Sequence, residues 1–301
     1  MVPGTSPPVR KRMEWVIETI IRVLGFSAVG FVAMIFVFLL LEGIPAFVRV
    51  PLNNLFDSLW YPSLGLYGVL PLIIGSLLVT VVAMLIAFPL GIGTAVFVRE
   101  IVPGWAREIL KPLIEVLAGI PSVVLGFFGM ITVAPIIRES LGAPTGLTAF
   151  TGSLLLAYMS LPTIITVAED ALDAVPRSYR DAGLAMGATQ WQTIWRVVVP
   201  AARSGILMAV MLGMGRAIGE TMAVLMVTGN AARIPDSLSD LFMPIRTMTA
   251  TIAAEMGEVA RGSTHYHVLF GVGLILFILT LAITLSAASV MFRRRTRGGL
   301  R

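Results

Sequence analysis

The sequence predicts an all-α integral membrane protein with six transmembrane helices. Three observations carry that prediction. The chain is 57% hydrophobic and only 13% charged over 301 residues, where a soluble domain carries about 25% charge. Its mean hydropathy is +0.91, more apolar surface than a water-facing fold can hide. The apolar residues also gather into six runs of about 20, the length that crosses a bilayer core. Backbone groups in lipid must be satisfied internally, which leaves helices or closed barrels. Barrel strands would alternate polar and apolar residues, and these runs show no alternation.

The elements follow in chain order. Residues 1–23 form a polar, basic tail with a short amphipathic lead-in. The apolar run that follows is longer than a signal-peptide core and has no small-residue cleavage point, so it reads as an uncleaved first helix. Spans are expected at 24–41, 69–98, 113–137, 148–168, 206–228 and 268–292. The first span and an outer segment fill 24–68, and a larger unit of five spans fills 69–292. That unit holds a polar insert at 169–205 and a long loop at 229–267. A basic tail, 293–301, closes the chain. Pro89, Pro121, Pro135 and Pro162 punctuate the spans. Each removes a backbone bond and bends its helix, either as packing geometry or as a hinge. With both termini on the cytoplasmic side, about 16 Lys and Arg fall inside and 5 outside, the bias that orients membrane proteins. The insert is then cytoplasmic and the long loop external. The net charge of +5 is spread over loops and tails, which excludes a nucleic-acid patch. Cysteine is absent, which excludes disulfides and thiolate chemistry.

The insert is the most informative stretch. Pro176 is placed to open a helix. Tyr179, Ala182, Ala185 and Met186 recur at helical spacing and make one apolar face, with Arg180, Asp181 and Gln190 elsewhere. Gly187 is suited to end that helix in a left-handed cap. A second short helix is expected from about Trp191, and Pro200 marks entry to the fifth span. A helix lying on the bilayer would want a Lys/Arg-rich polar face. This one is mixed in charge, which favours docking into a partner's groove.

The spacing Asp181-Ala182-Gly183, three residues, Gly187, nine residues, Val197-x-Val199-Pro200 resembles the E-A-A-x3-G-x9-I-x-L-P signature of ABC importer permeases. Asp181, Gly183, Val197 and Val199 depart from it in identity but not in position. The region from about 69 to 292 looks like the MetI-like permease fold with a cytoplasmic coupling helix. Within that group, the run Gly213-Met214-Gly215-Arg216-Ala217-Ile218-Gly219-Glu220-Thr221-Met222 resembles phosphate-importer permeases of the PstC type. So do Ala118-Gly119-Ile120-Pro121-Ser122, Leu241-Phe242-Met243-Pro244 and His265-Tyr266-His267. The resemblance implies a bacterial inner-membrane subunit in a four-part importer. A second, PstA-like permease would complete the path. Two ATPase copies would dock on Arg180, Asp181, Ala182, Gly183, Ala185 and Gly187. An extracytoplasmic binding protein would deliver inorganic phosphate.

Arg216 and Glu220 stand out on physical grounds alone. An ionisable group inside a span costs at least about 2.5–3.5 kcal/mol on insertion scales and usually faces a bundle interior or a water-filled path. Four residues apart, the two are expected on one helix face. One reading is a mutually neutralising pair. The other is an anion site, in which Arg216 offers a bidentate fork and Glu220 compensates it when empty. Glu220 would then also accept the proton-bearing oxygen of hydrogen phosphate. Gly215 and Gly219 form a G-x-x-x-G that lets two helices approach, within the chain or against a partner.

Other candidates have simpler readings. Glu115 reads as an interfacial carboxylate, with coupling to the insert as the alternative. Ser122 and Thr221 either bond backbone or line a path. His265 and His267 are too few for a closed zinc site, and the methionines of the fifth span fit adaptable packing. No G-x-x-x-x-G-K-[ST] occurs, and the only lysines are Lys11 and Lys111, so ATP is not bound here by a P-loop. No cofactor, metal or catalytic triad is expected, and the chain does not read as an enzyme. The rivals are a permease for another oxyanion and a proton-coupled secondary transporter using Glu220 as relay. No internal repeat is evident, which argues against the latter.

Overall fold

The computed structural model describes the backbone of residues 8–298, with side chains over 14–285. The basic side chains at 10–12 and 293–301 therefore lie outside the described residues.

Helix α1 (Pro8–Arg49) runs without interruption through the polar lead-in and the first span. A short helix α2 (Leu52–Leu55) and a hairpin of β1 (Trp60–Tyr61) and β2 (Leu66–Tyr67) follow, with Trp60 opposite Tyr67. Helix α3 (Leu70–Val96) ends in a π turn, Phe97–Ile101. Then come α4 (Gly104–Ala118), α5 (Ser122–Phe128), a π turn Gly129–Val133 and α6 (Ala134–Leu141). Helix α7 (Ala149–Asp173) is capped by the Thr148 side chain, which accepts from the Thr151 amide. The insert supplies α8 (Arg177–Ala185), α9 (Gln190–Thr193), a π turn Ile194–Val198 and α10 (Val199–Ala201). Helices α11 (Arg203–Gly219), α12 (Met222–Val227), α13 (Met248–Glu255) and α14 (Thr264–Gly298) complete the chain.

Among the described residues, five helical segments are long and apolar enough to cross a membrane. They are Glu14–Arg49, Leu70–Ile101, Ser122–Leu141, Ala149–Asp173 and Thr264–Leu285. A sixth arises if Gln190–Ala201 and Arg203–Gly219, bent by 71°, count as one span.

The core is α3, α7 and α11 packed together, with Ala83, Ala87, Ile164, Ala168, Leu172 and Ala209 at its centre. Close approach of α11 to α7 depends on missing side chains. A methyl group on Gly213 would sit 2.5 Å from Ile164 Cγ1. A second cluster under the hairpin joins Ala46, Leu55, Trp60, Leu72, Met248 and Leu269. Helix α1 touches mainly α14 and exposes Phe26, Val29 and Phe31. Apolar side chains turned outward on a spanning helix are what lipid solvates.

Three expectations need correction. The third span begins at Ser122, not 113, because the chain breaks between Ala118 and Ser122. Pro121 has no N–H to donate and biases Ile120 away from helix, so α4 is a separate amphipathic helix. Pro89 and Pro162, by contrast, sit inside unbroken helices. The loop 229–267 is not simply a loop. It folds back as α13, whose Met248, Ala250 and Thr251 are fully buried. The fifth span is not one helix to 228; it stops at Gly219 and restarts at Met222.

Candidate functional site

The break in the fifth span decides what Arg216 and Glu220 can do. Glu220 leaves the helix with extended backbone (φ −68°, ψ 132°). Its carboxylate Oε1 accepts from the Ala223 amide at 3.2 Å, satisfying one of the open donors of α12. Its own carbonyl accepts from the Thr249 hydroxyl at 3.0 Å. Thr221 donates its hydroxyl to the Gly219 carbonyl at 3.2 Å. The side chains at the break thus satisfy the backbone groups that the break sets loose.

Arg216 lies in the last turn of α11 and is exposed on the single chain. Thirteen residues past Arg203, it stands roughly 20 Å along the helix. Its Nη2 reaches the Ala118 carbonyl, at the end of α4, at 3.5 Å. Among the described residues no ion pair joins Arg216 to Glu220. The expected same-face pairing fails because the helix that would align them ends between them. Glu220 instead borders a small cavity with the buried hydroxyls of Ser76, Thr80, Thr247 and Thr249. Those four hydroxyls, brought together from α3 and the start of α13, are the part of the site that sequence reasoning did not find. The spacing of Ser76 and Thr80, four residues apart on one helix face, is the signal that was present.

Gly215 and Gly219 both face outward, and a methyl group on either would meet nothing within 4 Å. Packing inside the chain uses Gly213 on another face of α11. Gly219 also borders an apolar groove with Leu39 of α1, Ile252 of α13 and Leu269 and Phe270 of α14.

In the insert, Pro176 precedes α8 and Gly187 takes φ +82° after it. Thr189 and Gln192 then form a reciprocal capping box at the start of α9. Tyr179, Ala182, Leu184, Ala185 and Met186 are exposed, Met186 to 88%. Asp181 is exposed beside them. Arg180 and Gly183 turn the other way. A methyl group on Gly183 would press on Thr193, 3.0 Å away. Arg180 donates to both oxygens of Glu100, at 2.6 and 3.2 Å, and to the carbonyls of Val175 and Leu172, at 2.7 and 3.0 Å. Glu100, the largest cause, holds the Arg180 pKa above its ordinary value. Helix α8 therefore presents an apolar face left exposed among the described residues, and anchors itself from behind.

His265 and His267 are packed rather than solvated. His265 Nε2 lies 2.8 Å from Glu255, which also bonds Arg246 at 2.8 Å and accepts from Trp60 at 3.2 Å. His267 Nδ1 lies 2.9 Å from the Glu42 carbonyl, tying α14 to α1. Among the described residues, no group of three or more His, Cys, Asp or Glu is placed to hold a metal.

Residues 87–298, which hold the insert, the broken span and α14, match the family described as binding-protein-dependent transport system inner membrane component. The chain belongs to that family. This permease is 41% identical over 264 residues to the "Probable ABC transporter permease protein YqgH" of Bacillus subtilis, covering 86% of this chain and 84% of that one. It is 38% identical to the "Phosphate transport system permease protein PstC" of Mesorhizobium japonicum, covering 80% and 78%. It is 36% identical to "Phosphate transport system permease protein PstC 1" of Mycobacterium tuberculosis, covering 81% and 78%. Among solved structures, a chain of the bacterial alginate ABC transporter in complex with an alginate-bound periplasmic protein superposes with a TM-score of 0.64 at 16% identity, covering 95% and 96%. A chain of the inward-facing MetNI methionine ABC transporter gives 0.57 at 20% identity, covering 73% and 92%. At such identities the likeness establishes the fold alone. As a family member this permease is a transport subunit, not an enzyme.

Proposed function

We propose that this permease is one half of the membrane path of an ATP-driven importer of inorganic phosphate. It would lie in the bacterial cytoplasmic membrane with both termini and α8 on the cytoplasmic side. Its partners would be a second, PstA-like permease, two ATPase subunits and an extracytoplasmic phosphate-binding protein. The observation that carries this reading is Arg216, an exposed guanidinium toward the far end of α11 with no carboxylate paired to it among the described residues. Lipid does not solvate such a charge, so its surface faces a water-filled path or a partner. A planar fork there suits a tetrahedral oxyanion. The relatives named for phosphate transport point to the same substrate.

Glu220 keeps Oε1 on the Ala223 amide. Its Oε2 would accept from the protonated oxygen of hydrogen phosphate, a donor that sulfate lacks at neutral pH. On the cytoplasmic side, the exposed face of α8 docks an ATPase, with Asp181, Ala182, Ala185 and the Gly187 cap at the contact. Nucleotide-driven closure of the two ATPases moves α8, and the bundle switches between two packed states. Outwardly turned Gly215 and Gly219 would lie against the second permease.

The test is uptake by the reconstituted four-part complex. Glu220→Gln should reduce the preference for phosphate over sulfate. Unchanged discrimination would remove Glu220 from the substrate contact. Uptake that needs a proton gradient but neither ATP nor partners would replace the importer reading with a secondary transporter.

A further inference from the structure

Behind the exposed face of α8, ionic contacts converge on one short segment, the π turn Phe97–Ile101 that ends the second span. Glu100 in that turn receives the Arg180 fork from α8. Arg99, its neighbour, pairs with Asp173 at the end of α7. Arg107 of α4 donates its Nε to the Val98 carbonyl at 3.0 Å, closing an open helix end. One turn further along α4, Lys111 pairs with Glu169 and Asp170 of α7, at 3.1 and 3.3 Å. Four elements are thus tied together by charge at a single end of the molecule.

The Arg180–Glu100 pair is the centre of this arrangement. Its side chains are only 18% and 9% exposed. Arg180 also covers the Leu172 and Val175 carbonyls, so one guanidinium joins the insert to the ends of two spans. A surface ion pair of two flexible side chains would hold little. A largely buried, bidentate and further hydrogen-bonded one resists removal of either partner. The wider π turn suits the task, since adjacent residues Arg99 and Glu100 must reach different helices. Such turns often mark functional positions.

We propose that Glu100 is a positioning residue for transport, latching α8 through Arg180 so that α8 and the ends of α3 and α7 move as one body. Force applied to the exposed face of α8 then reaches the spans without loss in a hinge. Arg180 takes part in coupling from inside the chain, not by touching the ATPase. The inference rests on the reading of α8 as the ATPase contact.

Two measurements test it. In proteoliposomes holding the whole complex, Glu100→Gln should leave co-purification of the ATPase and ATP hydrolysis near wild type. Phosphate moved per ATP should fall at least about tenfold, because the variant strands the Arg180 charge. Glu100→Asp, which restores the charge, should recover part of the loss. Wild-type stoichiometry in Glu100→Gln would overturn the proposal. The second measurement needs no substrate and stands even if Glu100→Gln fails to assemble. The chain has no cysteine, so spin labels at Ser178→Cys and Ile101→Cys, both exposed positions, report one distance. A latch predicts the same narrow distance in nucleotide-free and ATP-trapped complexes. A distance that shifts or broadens on ATP binding would overturn it. If wild type hydrolyses ATP but moves another solute, the phosphate reading fails while the distance result still decides the latch.

Discussion

Arg216 was legible in the sequence because a charge within an apolar run is costly and therefore conspicuous. What it faces was not legible. Spacing of four put Glu220 on the same helix face, and spacing holds only while the helix continues. The same limit applies to Arg180. Helical periodicity told which residues of α8 share a face, but not which face turns inward. The glycines separate in the same way. Gly213 and Gly215 look alike in sequence, yet only Gly213 touches a neighbour, Ile164. Gly213→Leu should therefore lower the melting temperature of the purified chain, since overpacking costs typically about 1–3 kcal/mol. Gly215→Leu should leave that temperature unchanged and reduce recovery of the second permease. Equal melting losses from both variants would contradict the assigned faces.

The elements were readable by type and less so by boundary. Apolar runs anticipated the five long apolar helices and the bent pair that would make a sixth span, and Pro176, Gly187 and the region of Trp191 placed the insert helices within a residue or so. Two breaks were missed for different reasons. Pro121 was visible, but hydropathy on both sides carried the span across it. At Glu220 no proline or long polar stretch marks the interruption. The stop is met by tertiary partners such as the Thr249 hydroxyl and by a carboxylate that caps the next helix. The insert gives a direct prediction at this scale. Met186 is almost fully exposed at the end of α8, and Met186→Glu adds charge to an apolar docking face. It should sharply reduce ATPase co-purification while the permease still reaches the membrane. Undiminished co-purification would place the docking face elsewhere. Thr189→Ala removes one half of the capping box and should cost α9 about 1 kcal/mol, seen as faster amide exchange in residues 190–198.

For the whole molecule, composition pointed to the membrane class and the motifs of the insert and of the Gly213–Met222 run pointed to the family that residues 87–298 match, since both depend on residues the sequence shows directly. Assembly is different. Among the described residues, much of α1, Gly215 of α11 and the outer face of α8 are exposed, and nothing in one sequence says which of these meets lipid and which meets protein. Orientation can be read with a thiol reagent that does not cross membranes. Because the chain lacks cysteine, Ser178→Cys and Leu64→Cys each give one site. In intact cells Leu64→Cys should label and Ser178→Cys should not, with the pattern reversed in inverted vesicles. The opposite pattern would invert the topology and remove α8 from the cytoplasm.

Arg216 is proposed to meet the transported anion. A hydrogen bond to a charged group contributes about 1.5–3 kcal/mol, roughly 10–150-fold in an equilibrium. Phosphate uptake by reconstituted Arg216→Gln is the measurement that tests it most directly. The expected result is a loss of that size with assembly and ATP hydrolysis intact; uptake at the wild-type rate would contradict it.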